Sequence, residues 1–240
     1  MKIVEKIKSK QANLSANPAL TIALLGDSVT QGCFECYLKP NGDLETVFDA
    51  DSSYGSRLKS MLNLLYPTVQ FNLINAGISG ESARGGLKRL DRDVLSYHPD
   101  LVVVGFALND STEGEAGLDR YKADLSEILR RVKESGAECI ALTPNAMNTE
   151  ISDKIRDKDY LKLAERFRRI QTNGVLDMYV QAEKEIAEAC GASICDVYAK
   201  WKAMMGAGVD VTELLANKLN HPLRQMHYMT AMMLLDCILG

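Results

Sequence analysis

Five short apolar runs recur along the chain, and longer stretches with helical spacing of apolar residues separate them. The runs cover residues 20–25, 69–74, 101–106, 138–142 and 192–195. Short runs that are mainly apolar are typical of strands buried on both faces of a parallel sheet. The intervening stretches predict helices over residues 54–66, 83–95, 118–135, 154–170, 174–190, 197–205 and 223–238. Strands that alternate with helices predict an α/β fold, with a five-stranded parallel sheet between two helical layers.

Two segments stand outside this alternation. Residues 1–10 predict a short amphipathic helix at the N-terminus, and residues 32–53 form a polar insert after the first strand. Within the insert, Pro40-Asn41-Gly42 is a strong turn signal, which predicts a small hairpin. A chain of 240 residues, 46% of them hydrophobic, is long enough for one sizeable core, so residues 1–240 are predicted to form one domain.

Charge and hydropathy narrow the classes of partner. A net charge of −4 gives no general attraction to nucleic acid, and no apolar segment reaches the roughly 20 residues that a membrane span requires. The N-terminus lacks the apolar core of a signal peptide, so we expect a cytoplasmic protein. The C-x-x-C pair Cys33 and Cys36 has no second pair to complete a zinc site, so we expect structural thiols, no metal and no cofactor.

Unusual polar segments follow four of the predicted strands. Ser28, Gly77, Asn109 and Asp196 each come shortly after an apolar run. In open α/β sheets, ligands bind beyond the carboxyl ends of the strands, which all meet at one edge. The sequence therefore predicts a functional site at this edge.

These residues can support acyl transfer, which needs a nucleophile, a base and donors for the oxyanion. Ser28 can serve as the nucleophile, and the neutral imidazole of His221 can serve as its base. The backbone N–H groups of Ser28 and Gly77 and the side-chain amide of Asn109 can bind the oxyanion. The simpler alternatives are that Ser28 caps a short helix and that His221 caps the terminal helix. His227 is expected to be structural or to face solvent, and Asp27 and Asp110 are expected to hold loops by hydrogen bonds rather than to transfer protons.

Four motifs in order resemble the SGNH (GDSL-type) esterase and lipase superfamily. They are Gly26-Asp27-Ser28-Val29-Thr30-Gln31-Gly32, then Asn75-Ala76-Gly77 with Ser79-Gly80-Glu81-Ser82, then Asn109-Asp110, and finally His221-Pro222. The resemblance implies a flavodoxin-like α/β/α sandwich and a metal-free hydrolase. It also implies the roles given above to Ser28, Gly77, Asn109 and His221.

Two positions depart from the family pattern. Ala107 replaces a usual glycine two residues before Asn109, which is acceptable if its backbone is not at positive φ. Lys218 replaces the usual aspartate three residues before His221, and an ammonium group cannot accept the imidazole Nδ1–H. Some other acceptor must orient the imidazole ring. The candidates are the side chains of Asn217, Asn220, Asp196, Asp210 and Glu213 and a main-chain carbonyl near Leu219.

The sequence thus predicts a serine esterase that hydrolyses short acyl esters through an acyl-enzyme intermediate. Its expected partner is a small-molecule acyl ester, with acetylated carbohydrate suggested by the family resemblance alone. A lysophospholipase or thioesterase of the same fold is one alternative. A non-catalytic binding module is another, and Lys218 is the feature that favours it.

Overall fold

The structure is a computed structural model that describes residues 1–41 and 43–240. Its centre is a five-stranded sheet in the spatial order β4-β1-β5-β6-β7, and every neighbouring pair of strands is parallel. The strands are β1 Leu20–Gly26, β4 Phe71–Gly77, β5 Leu101–Gly105, β6 Glu138–Leu142 and β7 Ser193–Cys195. The predicted α/β fold with a central parallel sheet is confirmed.

Helices cover both faces of this sheet. They are α1 Lys2–Ala12, α2 Ser28–Gln31, α3 Tyr54–Leu65, α4 Ala83–Asp93, α5 Leu118–Glu134, α6 Lys158–Thr172, α7 Val175–Cys190, α8 Val197–Gly206 and α9 Arg224–Leu239. Helix α9 packs against α1 and α3, whereas α5 packs against α4 and α7, so these helices form two separate layers. The core lies between the layers and the sheet, whose central strands are almost completely buried.

Two predicted helices begin later than the hydrophobic spacing indicated. Helix α6 begins at Lys158 rather than near residue 154, because the Asp157 carboxylate caps it by accepting from the N–H groups of Asp159 and Tyr160 at 2.8 and 3.0 Å. Helix α9 begins at Arg224. The residues just before it are extended, since Pro222 bridges to Leu215 in an antiparallel pair.

The insert contains an antiparallel hairpin, with strands β2 Cys33–Leu38 and β3 Leu44–Phe48. Gly42, on which the turn prediction depended, lies outside the described residues. The hairpin forms a sheet of its own, separate from the five-stranded sheet. Its placement over the sheet edge is therefore set by side chains and loops.

Among the described residues, no helix is both long and apolar enough to span a membrane.

Candidate active site

The end of strand β1 places Ser28 above the sheet edge. Gly26 is level with Gly77 of β4 and with Gly105 of β5. A Cβ on Gly26 would lie 2.1 Å from the Thr30 hydroxyl, because the chain folds back tightly over the strand end into α2. Glycine is therefore required at this turn. Ser28 follows two residues later as the first residue of α2.

Asp27 supports this turn through a hydrogen bond and is not positioned for proton transfer. Its carboxylate accepts from the Val29 N–H at 2.9 Å and so caps α2. Burial raises the pKa of Asp27 to about 7, although the hydrogen bond from Val29 opposes that rise. The expectation that Asp27 holds the loop is confirmed.

Ser28 and His221 are in direct contact. The His221 Nε2 lies 2.9 Å from the Ser28 Oγ, and the two residues are only 5% and 3% exposed. The other ring nitrogen, Nδ1, lies 3.0 Å from the main-chain carbonyl of Phe34. Because a carbonyl oxygen can only accept, Nδ1 carries the proton in the neutral ring and Nε2 is free to accept from the Ser28 hydroxyl.

Burial keeps this imidazole neutral at physiological pH. It lowers the pKa of His221 to about 4, against a smaller opposing effect of the Phe34 carbonyl. The thiol of Cys36 lies 3.7 Å from the same Nδ1 and lines a groove of about 230 Å³ on that side of the ring. His221 therefore has the tautomer and the charge of a general base.

The loop before His221 holds the backbone of the residue in place. The Asn217 Oδ1 accepts from the N–H groups of Leu219, Asn220 and His221 at 2.9–3.0 Å. The His221 carbonyl accepts from the Ala216 N–H at 2.7 Å. Asn217 thus fixes the main chain of His221, whereas the sequence had suggested that it contacts the ring.

The other side chains considered as partners of Nδ1 have different contacts. The Asn220 Oδ1 accepts from the Asn217 Nδ2 at 3.0 Å. Asp196 caps α8 by accepting from the Ala199 N–H at 3.0 Å, and it pairs with Lys184. Asp210 accepts from the Thr212 N–H, Glu213 pairs with Lys154 and Lys218, and the Leu219 carbonyl accepts from the Asn148 N–H. The acceptor at Nδ1 belongs to Phe34, a residue that was not among the candidates.

Lys218 is held away from the imidazole. Its ammonium group donates to the carbonyl of Glu213 at 3.2 Å and pairs with the carboxylate of the same residue at 3.1 Å. Its backbone is left-handed, with φ +58°. The residue at the usual aspartate position is thus turned toward Glu213, which neutralises its charge.

The expected oxyanion donors lie at the ends of adjacent strands, and two of them already have partners. The Gly77 N–H donates to the Asn75 Oδ1 at 3.0 Å, and the Asn109 Nδ2 donates to the Glu81 carbonyl at 2.8 Å. The second Nδ2 hydrogen of Asn109 is additional to that bond. As the first residue of a helix, Ser28 has no intrahelical acceptor for its own N–H.

Gly77 is required here by close packing against α2. A Cβ on this residue would lie 2.3 Å from the backbone nitrogen of Gln31, a clash that only a glycine avoids.

Ala107 does not meet the condition under which its methyl group would be acceptable, because its backbone is at positive φ. Its φ is +91°, in the region that favours glycine. Its N–H donates to the carboxylate of Asp110 at 3.1 Å, and its carbonyl accepts from the Ser111 N–H at 2.9 Å. The turn before Asn109 is thus held by hydrogen bonds in a backbone conformation that costs an alanine about 1–2 kcal/mol.

Asp110, like Asp27, serves as an acceptor for loop N–H groups. Its carboxylate accepts from the N–H groups of Ala83 and Ala107 at 3.0 and 3.1 Å, and burial raises its pKa to about 6. These bonds connect the loop after β5 to the start of α4. The expectation that Asp110 holds loops is confirmed.

Arg89, a buried residue of α4, was not among the predicted site residues. Its guanidinium donates to the carbonyls of Ala76 and Gly26 at 2.6 and 3.1 Å and to the carboxylate of Glu81 at 2.9 Å. Arg89 therefore joins the carboxyl ends of β4 and β1 directly below the site. An arginine in an otherwise ordinary amphipathic helix gives no sequence signal for such a role.

His227 is structural and buried, so the alternative that it faces solvent is wrong. Its Nδ1 accepts from the Tyr54 N–H at 3.0 Å, and its ring lies 4.9 Å from the ring of Phe34. Within residues 1–41 and 43–240, no group of three or more His, Cys, Asp or Glu residues is arranged to hold a metal ion.

Comparisons with known proteins find two esterases that are similar to this chain in sequence. The chain is similar to an acetylxylan esterase of Geobacillus stearothermophilus, with 25% identity over 194 residues, which cover 77% of this chain and 78% of that protein. It is also similar to an arylesterase of Vibrio mimicus, with 29% identity over 147 residues, or 60% of this chain and 65% of the relative.

A solved structure shares the fold. The alpha/beta hydrolase enzyme from the metagenome of Lake Arreo, Spain, superposes with a TM-score of 0.66 and 22% identity, covering 92% of this chain and 96% of its own. The sequence model of the GDSL-like lipase/acylhydrolase family matches residues 24–228, which include every residue of the site. The chain therefore belongs to the GDSL-like lipase/acylhydrolase family and is an ester-hydrolysing enzyme.

Proposed function

We propose that the protein is a serine esterase that cleaves short acyl esters through a Ser28–His221 dyad. The observation that carries the proposal is the 2.9 Å contact between the Ser28 Oγ and the His221 Nε2, in the tautomer that accepts a proton. This contact favours catalysis over the alternative of a binding module. A module without turnover would have no need of a buried serine on a correctly oriented base.

Both chemical steps use the same two side chains. The Ser28 Oγ bonds to the ester carbonyl carbon while the His221 Nε2 takes its proton. The imidazolium then gives that proton to the departing alkoxide as its bond to the carbonyl carbon breaks, which leaves an acyl-enzyme. In the second half, His221 takes a proton from water, the hydroxide attacks the acyl carbon, and the Ser28 oxygen leaves with the proton from His221.

The oxyanion of each tetrahedral intermediate is assigned to three donors of unequal weight. The Ser28 N–H and the second Nδ2 hydrogen of Asn109 are the principal donors. The Gly77 N–H already donates to Asn75, so an oxyanion would have to share it. We therefore expect the Gly77 N–H to contribute least to the stabilisation of the oxyanion.

The Phe34 carbonyl takes the place of the carboxylate that orients the imidazole in a serine triad. It fixes the neutral tautomer, and the wrong tautomer can reduce kcat about 10⁴-fold. A neutral carbonyl stabilises the imidazolium less than a carboxylate would, since hydrogen bonds to charged acceptors are about twice as strong. The arrangement preserves orientation and gives up some electrostatic stabilisation.

The substrate we propose carries a short acyl group, with an acetyl ester on a carbohydrate as the first candidate. The low exposure of Ser28 favours a small acyl group. The match to an acetylxylan esterase favours acetylated sugar. A lysophospholipase or thioesterase is the alternative within the same chemistry.

Hydrolysis of p-nitrophenyl acetate tests the nucleophile. Ser28→Ala is expected to lower kcat/KM by at least about 10³-fold, because it removes the attacking oxygen. Ser60→Ala, a matched change of an exposed serine on α3, should leave the rate unchanged. Equal rates in wild type and Ser28→Ala would contradict the proposal.

The same assay with acetyl, butyryl and octanoyl esters tests the acyl group, and acetate release from acetylated xylo-oligosaccharides tests the carbohydrate. We expect the highest kcat/KM with the acetyl esters. Rates that rise with chain length would assign the enzyme to the lysophospholipase or thioesterase alternative.

A further inference from the structure

Arg224 connects the start of α9 to the hairpin. It is the first residue of that helix and lies three residues after His221. Its guanidinium donates to both carboxylate oxygens of Glu35, at 2.6 and 3.1 Å, and through Nε to Asp49 at 2.8 Å. Bidentate pairs of this kind fix direction as well as distance.

Two side chains of the same helix contact the ring of Phe34. The Arg224 guanidinium carbon lies 4.2 Å from the centroid of the Phe34 ring, and the His227 ring lies 4.9 Å from it. Arg224 and His227 are three residues apart, so they lie on one face of α9. Phe34 itself is fully buried.

Phe34 and Glu35 lie at an irregularity in the hairpin. Cys33 pairs with Phe48 and Cys36 pairs with Thr46, so three steps along β2 correspond to two steps along β3. The extra residue makes a β-bulge, which interrupts regular pairing and redirects backbone groups. The bulge explains how a strand carbonyl can turn toward the His221 ring.

The hairpin needs an external attachment to hold that carbonyl in place. Its two strands form a sheet of their own, separate from the five-stranded sheet, and an isolated two-stranded hairpin is marginally stable. The contacts of Arg224 with Glu35, Asp49 and the Phe34 ring connect it to the helix that directly follows His221.

We propose that Arg224 is a positioning residue that holds the bulge so that the Phe34 carbonyl accepts from the His221 Nδ1. The inference rests on the proposed function, because it assigns to Arg224 the support of the Ser28–His221 dyad. Arg224 acts through Phe34 and His221 and does not contact the reacting atoms.

The charges of Arg224 and its two carboxylate partners support this assignment. The hydrogen bonds of Arg224 hold the pKa values of Glu35 and Asp49 below their usual range, so both carboxylates remain charged and paired. All three side chains are partly exposed, and exposed ion pairs add little to folding stability. Loss of Arg224 should therefore alter the geometry of the site much more than the stability of the fold.

Steady-state kinetics of Arg224→Gln test the inference. Without the bidentate contact the carbonyl is free to drift, and a misplacement of about 1 Å can reduce a rate about 10²-fold. We expect kcat for p-nitrophenyl acetate to fall about 10- to 100-fold with KM changed less than about threefold. Arg224→Lys should recover only part of the loss, because an ammonium group cannot bind a carboxylate in bidentate fashion.

Two further variants separate positioning from a general effect of charge. Arg130→Gln removes an exposed bidentate pair with Glu127 on α5 and should leave kcat unchanged. Glu35→Gln should lower kcat in wild type and have a smaller effect when added to Arg224→Gln, since the two changes break the same contact.

Proton NMR supplies a readout that does not require turnover. The hydrogen-bonded Nδ1–H proton of His221, assigned with His221→Asn, should be observed in wild type and in Arg130→Gln and be broadened or lost in Arg224→Gln. Wild-type kcat together with an unchanged resonance in Arg224→Gln would overturn the inference. If wild type has no Ser28-dependent activity, the proposed function fails, and the resonance alone then decides the role of Arg224.

Discussion

His221, the proposed base, lies in an environment that changes the pH range in which its imidazole is neutral. An ordinary histidine has a pKa of about 6.5, whereas burial lowers the pKa of this imidazole to about 4. A lowered pKa means that the neutral form persists as the pH falls. The base is therefore available across most of the weakly acidic range.

We expect kcat/KM to remain high at pH 5 and to fall about tenfold per pH unit once the pH drops below about 4. Ser28 also lies beside Asp27, a second titratable group, whose pKa is raised to about 7 by burial. Asp27→Asn removes that ionisation and keeps an oxygen that can cap α2, so the acidic limb should stay near pH 4. A wild-type midpoint between pH 6 and 7 would contradict a buried, neutral base. Activity recovered on return to pH 7 excludes acid unfolding as the cause.

At the level of single residues, the sequence predicted which residues meet at the sheet edge where the proposed site lies. Ser28, Gly77 and Asn109 follow apolar runs, and the carboxyl ends of parallel strands must lie at one edge. The Phe34 carbonyl could not be predicted in this way, because every residue has a carbonyl and only the bulge in β2 turns this one toward His221. The positive φ of Ala107 was missed for a similar reason, since it depends on the distant packing that positions Asp110.

At the level of elements, the strand ends need support because three loops leave the sheet at the same place. Arg89 of α4 supplies it through buried hydrogen bonds to the Gly26 carbonyl of β1 and the Ala76 carbonyl of β4, and through a partly buried bond to Glu81. Removing one partner of a buried charged pair leaves the others desolvated and unpaired.

We therefore expect Arg89→Met to lower the free energy of unfolding by about 3 kcal/mol. Urea denaturation followed by circular dichroism measures this change. The neighbouring Arg92 is the matched control, because it is mostly exposed and pairs with Asp93 on the surface. Arg92→Met should change stability by less than about 1 kcal/mol. Similar losses of unfolding free energy in the two variants would show that the buried contacts of Arg89 contribute no more to stability than the exposed pair of Arg92.

The bounds of an element were predicted closely where an apolar run defines them. They were predicted less well where a capping side chain determines the first residue of a helix. Strand β6 has the predicted bounds, Glu138–Leu142. Helix α6 starts later than predicted, since Asp157 ends the loop by accepting two helix N–H groups. Apolar spacing alone does not distinguish a helix from an extended approach to it.

At the level of the whole molecule, the proposed site is assembled from three parts, one of which is distant from the other two in the sequence. The sheet edge supplies Ser28, the hairpin supplies the Phe34 carbonyl, and the segment before α9 supplies His221. All three groups place polar atoms in buried positions. Glu183 of α7 is another buried polar side chain, outside the site.

Glu183 is only 1% exposed, and its one hydrogen bond among the described residues comes from the Tyr121 hydroxyl at 3.5 Å. Burial raises the pKa of its carboxyl well above 4.5, and the charges of Asp110 and Asp196 raise it further. The folded state therefore keeps a proton that the unfolded chain releases. Stability from this group is complete below about pH 4.3, where the unfolded carboxyl is also protonated, and declines as the pH rises.

Glu183→Gln replaces the carboxyl with a neutral group of nearly the same shape, so the variant should lose this pH dependence. We expect its gain in the free energy of unfolding over wild type to increase between pH 5 and pH 8, by no more than about 1.4 kcal/mol per pH unit for one proton. Urea denaturation at each pH measures the difference. Glu185→Gln, on the exposed side of the same helix, controls for the loss of one negative charge. A constant difference between Glu183→Gln and wild type across this range would mean that the buried carboxyl titrates at the same pH in the folded and unfolded states.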